Sequence, residues 1–212
     1  MRAVHDVLLA TTNLGKKEEF QTLFRPYGEF NILLASEMIR NADKIALVET
    51  KSTYMENAVA KARVANQGSH YPCLADDSGL EVQALEGAPG VHSHRYAIAR
   101  AGQSQDDANI EKLLTALKAV PAEKRTARFV CSLALIVEGI LITTTGTLEG
   151  EIIDTPRGTG GFGYDPIFVP ADQQKTLAEM SLQEKNFISH RAVALKNLFE
   201  QINQKGIIFV KP

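Results

Sequence analysis

Two adjacent carboxylates, Asp76 and Asp77, follow the apolar residues Cys73, Leu74 and Ala75 and precede Ser78 and Gly79. In an open α/β sheet, ligands bind outside the carboxyl ends of the strands. Neighbouring side chains on a strand point to opposite faces. If the strand continues through the pair, one acid can therefore hold a metal ion or a water while the other ties down nearby backbone. Gly79 permits a sharp turn or a close approach. Taken alone, the stretch reads as a strand running into a solvated acidic turn, because Asp, Ser and Gly are all turn residues.

Three further stretches carry groups that could act on a phosphorylated, planar ligand. Thr11, Thr12, Asn13, Leu14, Gly15 and Lys16 lie between a strand-like run at 4–10 and a helical run at 17–24. A loop that opens a helix is an anion site, since free backbone N–H groups and the helix dipole face it. The same residues also serve as an ordinary capped helix start, with Asn13 or Thr12 as N-cap. The Walker A spacing is absent. Residues 158–165 (GTGGFGYD) set four glycines around Phe162 and Tyr164, with Gly163 between them and Asp165 at the end. Glycines admit a flat ligand close to the backbone, and the aromatics offer stacking surfaces. Lys185, Ser189, His190 and Arg191 sit before or in the first turns of a helix expected over 181–204. Arg at a helix start opposes the dipole, so an oxygen acceptor is expected beside it.

The elements that must position these groups are legible from periodicity. Residues 53–66 read as a helix stopped by Gly68, with Met55, Ala58, Val59, Ala62 and Ala65 as its apolar stripe. Thr53, Asn57 and Lys61 fall at i, i+4 and i+8 and stack on one face, by default a solvated one. Residues 31–35 form a second strand, and 37–50, which ends beside Glu49, reads as loop-rich. Residues 80–85 extend as a strand or edge, and 106–117 form a helix. Residues 127–137 and 140–145 make an antiparallel hairpin about Glu138-Gly139, so the sheet is mixed. His92 and His94 could chelate a metal, but no third ligand is spaced nearby and a surface loop is the simpler reading.

Bulk properties narrow the function. The 212 residues can bury a sizeable core without disulfide or structural metal. A formal net charge of -2 argues against nonspecific nucleic-acid binding, which needs a basic face. The two cysteines, Cys73 and Cys131, lie in apolar runs and read as buried thiols. No apolar run approaches the ~20 residues that span a bilayer, and the N-terminus lacks the apolar core of a signal peptide. The chain is expected to be cytoplasmic.

Taken together, the motifs resemble the inosine triphosphate pyrophosphatase family, the XTP/dITP diphosphatases. The matching segments are residues 10–16 (ATTNLGK), 54–58 (YMENA) with 61–63 (KAR), 74–80 (LADDSGL), 87–90 (GAPG), 158–168 (GTGGFGYDPIF), 184–185 (EK) and 189–191 (SHR). They occur in the family's order and span nearly the whole chain. Thr12, Lys51 and His94 stand where relatives commonly carry Gly or Ser, Gly, and Ala.

The resemblance implies one 1–212 domain with an elongated mixed α/β sheet, flanking helices and two lobes around a central nucleotide-binding cleft. It implies a homodimer, Mg²⁺ dependence, and hydrolysis of ITP, dITP or XTP to a monophosphate and pyrophosphate. Carried over, Glu49 and Asp77 hold the metal, Asp77 is the base, and Lys61 and Lys16 hold phosphate in the catalytic set. Thr11 to Lys16 cradle the triphosphate, and Ser78 donates to phosphate or fixes the carboxylates. Arg191, His190 and Lys185 donate to the 6-oxo group, Asp165 accepts from N1–H, and Phe162, Gly163 and Tyr164 flank the base. Adenine inverts both polar contacts, leaving buried groups unpaired. A related pyrophosphatase for another modified base and a nucleotide sensor without turnover are the alternatives. The sensor has no need of a base beside a metal.

Overall fold

A strand buried on both faces must be an apolar run, and Val7, Leu8 and Leu9 form one with no exposed surface. They belong to β1 (His5–Leu9), which lies between β2 (Phe30–Leu34) and β3 (Cys73–Val82). β1 runs parallel to both, pairing Val7 with Ile32 and Leu9 with Leu74. Parallel neighbours need crossovers. Between β1 and β2 the crossover contains α1 (Leu14–Leu23). Between β2 and β3 it contains α2 (Ala35–Met38), α3 (Asp43–Leu47) and α4 (Tyr54–Gln67). This computed structural model describes residues 4–39, 42–207 and 209. Residues 1–3, and 40–41 of the stretch expected to be loop-rich, lie outside them.

After α5 (Gln105–Ala116), β4 (Thr126–Val137) and β5 (Ile140–Ile152) are joined by Glu138 and Gly139 at φ 49° and 77°. Two successive left-handed residues make the type I′ turn whose twist suits a tight hairpin. β6 (Phe168–Pro170) pairs antiparallel with β5, and the sheet order is β2-β1-β3-β4-β5-β6. The mixed sheet with flanking helices is thus as expected. α6 (Leu182–Ile188) and α7 (His190–Lys205) close the chain.

The chain gathers into two compact units. One comprises Met1–Asp77, Cys131–Gly146 and Arg191–Pro212; the other comprises Ser78–Val130 and Thr147–His190. In the first unit, β-alternation sends Val7, Leu9, Cys131, Leu133 and Leu135 to a core with Phe20, Leu195, Leu198 and Phe199. Leu8, Ala75, Ala134 and Ile136 face the other way, against Ala58, Ala62 and Ala65 of α4. Small residues on that helix let its backbone approach the sheet. The second unit packs Leu80, Ile110, Leu113, Phe129, Tyr164 and Phe168 together.

Four expectations need correction. β3 does not stop at Ser78 and Gly79 but continues to Val82, so the acids are mid-strand. The stretch 37–50 contains the ends of α2 and all of α3. β5 continues past 145 to Ile152. The helix expected over 181–204 is two helices, because Ser189 adopts an extended conformation (φ −64°, ψ 152°) between them.

The β5–β6 pairing leaves no room at Gly150. A methyl group there would meet the Val169 carbonyl oxygen and the Phe168 ring. Gly150→Ala should therefore destabilise the protein by about 1–3 kcal/mol through overpacking, read as a lower urea midpoint at unchanged slope.

Candidate active site

Because β3 continues through Asp76 and Asp77, pleating sends the two carboxylates to opposite sides, where each meets its own set of partners. Asp76 has no exposed surface. Its Oδ1 accepts from Lys16 Nζ at 3.0 Å, and its Oδ2 lies 3.4 Å from Arg191 Nε. Arg191 Nη1 donates to Glu19 Oε2 at 3.1 Å. Burial pushes the Asp76 carboxyl up, but Lys16, Arg191 and Lys61 outweigh it and hold the group well below the usual carboxylate range. The acceptor expected beside Arg191 near its helix start is therefore a pair of buried carboxylates. Sequence reasoning missed Glu19. The signal was available: a buried arginine needs acids, and Glu19 lies beside the apolar Phe20 of α1.

Asp77 faces α4. Its Oδ2 accepts from Asn57 Nδ2 at 3.0 Å and its Oδ1 lies 3.2 Å from Lys61 Nζ. Lys61 also donates to Glu49 Oε1 and to the Asp76 carbonyl oxygen, both at 2.5 Å. The Thr53 side chain caps the helix by accepting from the Glu56 N–H at 3.2 Å. That cap fixes the phase that turns Asn57 and Lys61 inward. They are 1% and 3% exposed, so the solvated face expected for them is wrong. Asn57 Oδ1 also accepts from the Lys51 N–H at 2.9 Å, tying the segment beside Glu49 to the same residue that holds Asp77.

The charge balance of this cluster is unusual. Burial raises the Asp77 carboxyl above its ordinary value, and the Glu49 charge adds to it, overriding Lys61, Lys16 and Asn57. Lys61 is pulled down by burial and up by Asp77, Asp76 and Glu49, and the acids prevail. The result is a carboxylate of enhanced basicity held against a firmly protonated lysine. That combination suits a proton acceptor beside a polyanion. Among the described residues no three His, Cys, Asp or Glu side chains form a ready-made metal group. Glu49 and Asp77 nevertheless converge on one ammonium, so both carboxylates already address a common cation.

In the loop ahead of α1, Asn13 is the N-cap, accepting from the Lys16 N–H at 3.1 Å, and Thr11 Oγ1 accepts from the Asn13 N–H at 3.2 Å. Thr12 and Leu14 are exposed and Gly15 is half-buried. Ser78 follows Asp77 along β3 and is half-buried.

In the second unit, the loop at 158–164 is not a flexible glycine linker. Asp165 Oδ2 accepts from the Phe162 N–H at 2.9 Å and from Lys185 Nζ at 2.7 Å. Lys185 Nζ also lies 4.7 Å from the centre of the Phe162 ring. His190 is buried and stacks on Phe129, with centroids 4.9 Å apart. Tyr164 is 4% exposed, packs in the core and donates to the Ser93 carbonyl at 2.9 Å. Its ring is thus committed to packing and does not offer the stacking surface expected of it. His92 and His94 are exposed, as a surface position requires.

The family model described as Ham1 family matches residues 7–201. The chain belongs to the Ham1 family. A Geobacillus kaustophilus protein named dITP/XTP pyrophosphatase is 47% identical, with 92% of this chain and 93% of that protein aligned. A Bacillus subtilis protein of the same name is 44% identical, over 93% and 97%. Among solved Ham1 structures, the Coxiella burnetii HAM1 protein superposes with TM-score 0.77 at 40% identity, covering 94% of this chain and 99% of that one. The Staphylococcus aureus Ham1 protein gives 0.76 at 36%, with the same coverage.

The Asp76 network predicts an acid-sensitive stability. A carboxyl depressed in the folded state contributes stability that is fully present above its unfolded value of about 4 and is lost as pH falls toward the folded value. Asp76→Asn should cost about 3–5 kcal/mol near neutral pH, the scale for breaking a buried ion pair. Denaturation of both proteins at stepped pH should show the difference narrowing below about pH 4.

Proposed function

We propose that this Ham1-family chain hydrolyses the non-standard purine nucleoside triphosphates ITP, dITP and XTP to the monophosphate and pyrophosphate. The reading is supported by relatives named dITP/XTP pyrophosphatase. The single observation that carries it is the buried Lys61 ammonium held between Glu49 and Asp77, with Asn57 orienting Asp77.

Glu49 and Asp77 would hold Mg²⁺, a hard cation that takes one or two carboxylates and keeps most of its water. The fit rests on two acids that converge on one cation and on the burial that makes Asp77 unfavourable without positive charge. When bound, the ion would supply charge against the phosphates and make an adjoining water more acidic. Asp77 accepts the proton of the water that attacks the α-phosphorus. The bond between that phosphorus and the pyrophosphate oxygen breaks, and Lys61 and Lys16 counter the charge left on the oxygens. The N–H groups at 11–16 and Ser78 hold the triphosphate.

For the base, Lys185, His190 and Arg191 donate toward the 6-oxo oxygen, Asp165 accepts from N1–H, and Phe162 stacks, with Gly163 giving close approach. One domain spanning 1–212, a homodimeric assembly and a cytoplasmic location complete the reading. No described helix is long and apolar enough to cross a membrane.

A panel of triphosphates with Mg²⁺ in ¹⁸O-water tests the reaction. Labelled IMP and unlabelled pyrophosphate are expected from ITP, and IDP with inorganic phosphate would rule the mechanism out. Asp77→Asn, nearly isosteric but a poor base and ligand, should lose at least ~10³ in turnover with its circular dichroism unchanged.

The base reading is tested by Arg191→Ala. The ratio of kcat/KM for ITP over ATP should fall by on the order of 10²-fold if the 6-oxo contact is specific. Equal losses on both substrates would assign Arg191 wholly to Asp76 and Glu19.

A further inference from the structure

Two consecutive amides of the glycine-rich loop end on two different carboxylates. The Phe162 N–H donates to Asp165, three residues on, as described above. The next amide, that of Gly163, donates to Asp106 Oδ2 at 2.7 Å, 57 residues away in sequence. Asp106 stands in the first turn of α5, whose N-cap is Ser104, with its side chain accepting from the Asp107 N–H. Asp106 is thus not the capping residue, and its carboxylate is turned to the loop.

The backbone is shaped to make this pair of contacts. Gly161 and Gly163 have φ of 73° and 64°, and a methyl group at Gly161 would run into the Asp165 carboxylate. Left-handed glycines on either side of Phe162 swing its amide and the next toward separate acceptors. Gly160 N–H, bonded to the Ala178 carbonyl at 3.0 Å, secures the near side of the loop. Without Asp106, the far side of Phe162 loses its charge-assisted anchor. Neither α5 nor Asp106 belongs to the motifs that carry the family resemblance.

We propose that Asp106 is a positioning residue: it fastens the Gly163 amide and so holds the Phe162 ring in place as the nucleobase platform. The proposal rests on the reading of Phe162 as the stacking face. Preorganisation of a platform affects the part of the substrate that lies on it, so the phosphate end should be indifferent to Asp106.

The test compares Asp106→Ala, Asp106→Asn and Phe162→Ala. KM and kcat for ITP are measured with inhibition by inorganic tripolyphosphate, which has no base, and with hydrogen exchange across 160–166. Asp106→Ala should raise KM for ITP roughly tenfold, with kcat and the tripolyphosphate inhibition constant unchanged. The Gly163 amide should lose protection. Asp106→Asn keeps a carbonyl acceptor and should restore most of both. Unchanged KM in Asp106→Ala beside a raised KM in Phe162→Ala overturns the tether alone. Unchanged KM in Phe162→Ala removes the platform reading and the proposal with it. Equal losses in both Asp106 variants with a lowered melting temperature would make Asp106 a helix-start charge, which also overturns it.

Discussion

A carboxylate with no solvent contact stays ionised only if cations replace the water it has lost. Asp76 is such a group, and Lys16 and Arg191 are those cations. They come from distant points of the chain: Lys16 from the first turn of α1 and Arg191 from the start of α7. Glu19, also buried, engages the other end of the Arg191 guanidinium. The first turn of α1, the middle of β3 and Arg191 of α7 are thereby fixed to one another by charge. Ser189 must leave helical geometry for α7 to begin at His190 and deliver Arg191 there.

The same strand organises the second charge system. Asp76 and Asp77 are neighbours, so the pleat that sends one to Lys16 and Arg191 sends the other to α4. Lys61 links the two, since it bonds to the Asp77 carboxylate and to the Asp76 backbone carbonyl. A lysine held by three oxygens from two segments cannot wander, and its position defines where Glu49 and Asp77 meet. A slip of one residue in β3 would turn each acid to the opposite face, away from its own partners. The parallel pairing of Leu8 with Cys73 and Leu9 with Leu74 sets that register.

Much of this arrangement was legible in the sequence. The hairpin turn, the cap at Asn13 and the stop at Gly68 all follow from short-range chemistry, which a single sequence displays directly. What was hidden depended on long-range partners. Asn57 and Lys61 read as a solvated face because helical periodicity says which residues share a side, not what covers that side. Their burial is set by β3 and by Glu49, elements the period cannot see. Tyr164 read as a ligand surface because it is aromatic in a glycine run, yet its hydroxyl found the Ser93 carbonyl and its ring joined the core. The break at Ser189 was hidden for a related reason: the requirement for it comes from where Arg191 must go, which local sequence does not show.

Two of the acid-lysine contacts, at Lys185 and at Lys61, differ in their charge balance. Asp165 and Lys185 form a tight pair: both are buried, and the Asp165 oxygen that accepts from Lys185 also accepts from the Phe162 amide. Such a pair holds shape. Around Lys61 the balance is open. Glu49 and Asp77 both press on one cation, Glu49 is partly exposed, and burial leaves Asp77 more basic than an ordinary carboxylate. An excess of buried negative charge that already converges on one point is relieved by a further cation and by a proton. On the proposed function, those are the metal ion and the proton of the attacking water. The Asp165–Lys185 contact is balanced, whereas two carboxylates share the single Lys61 ammonium.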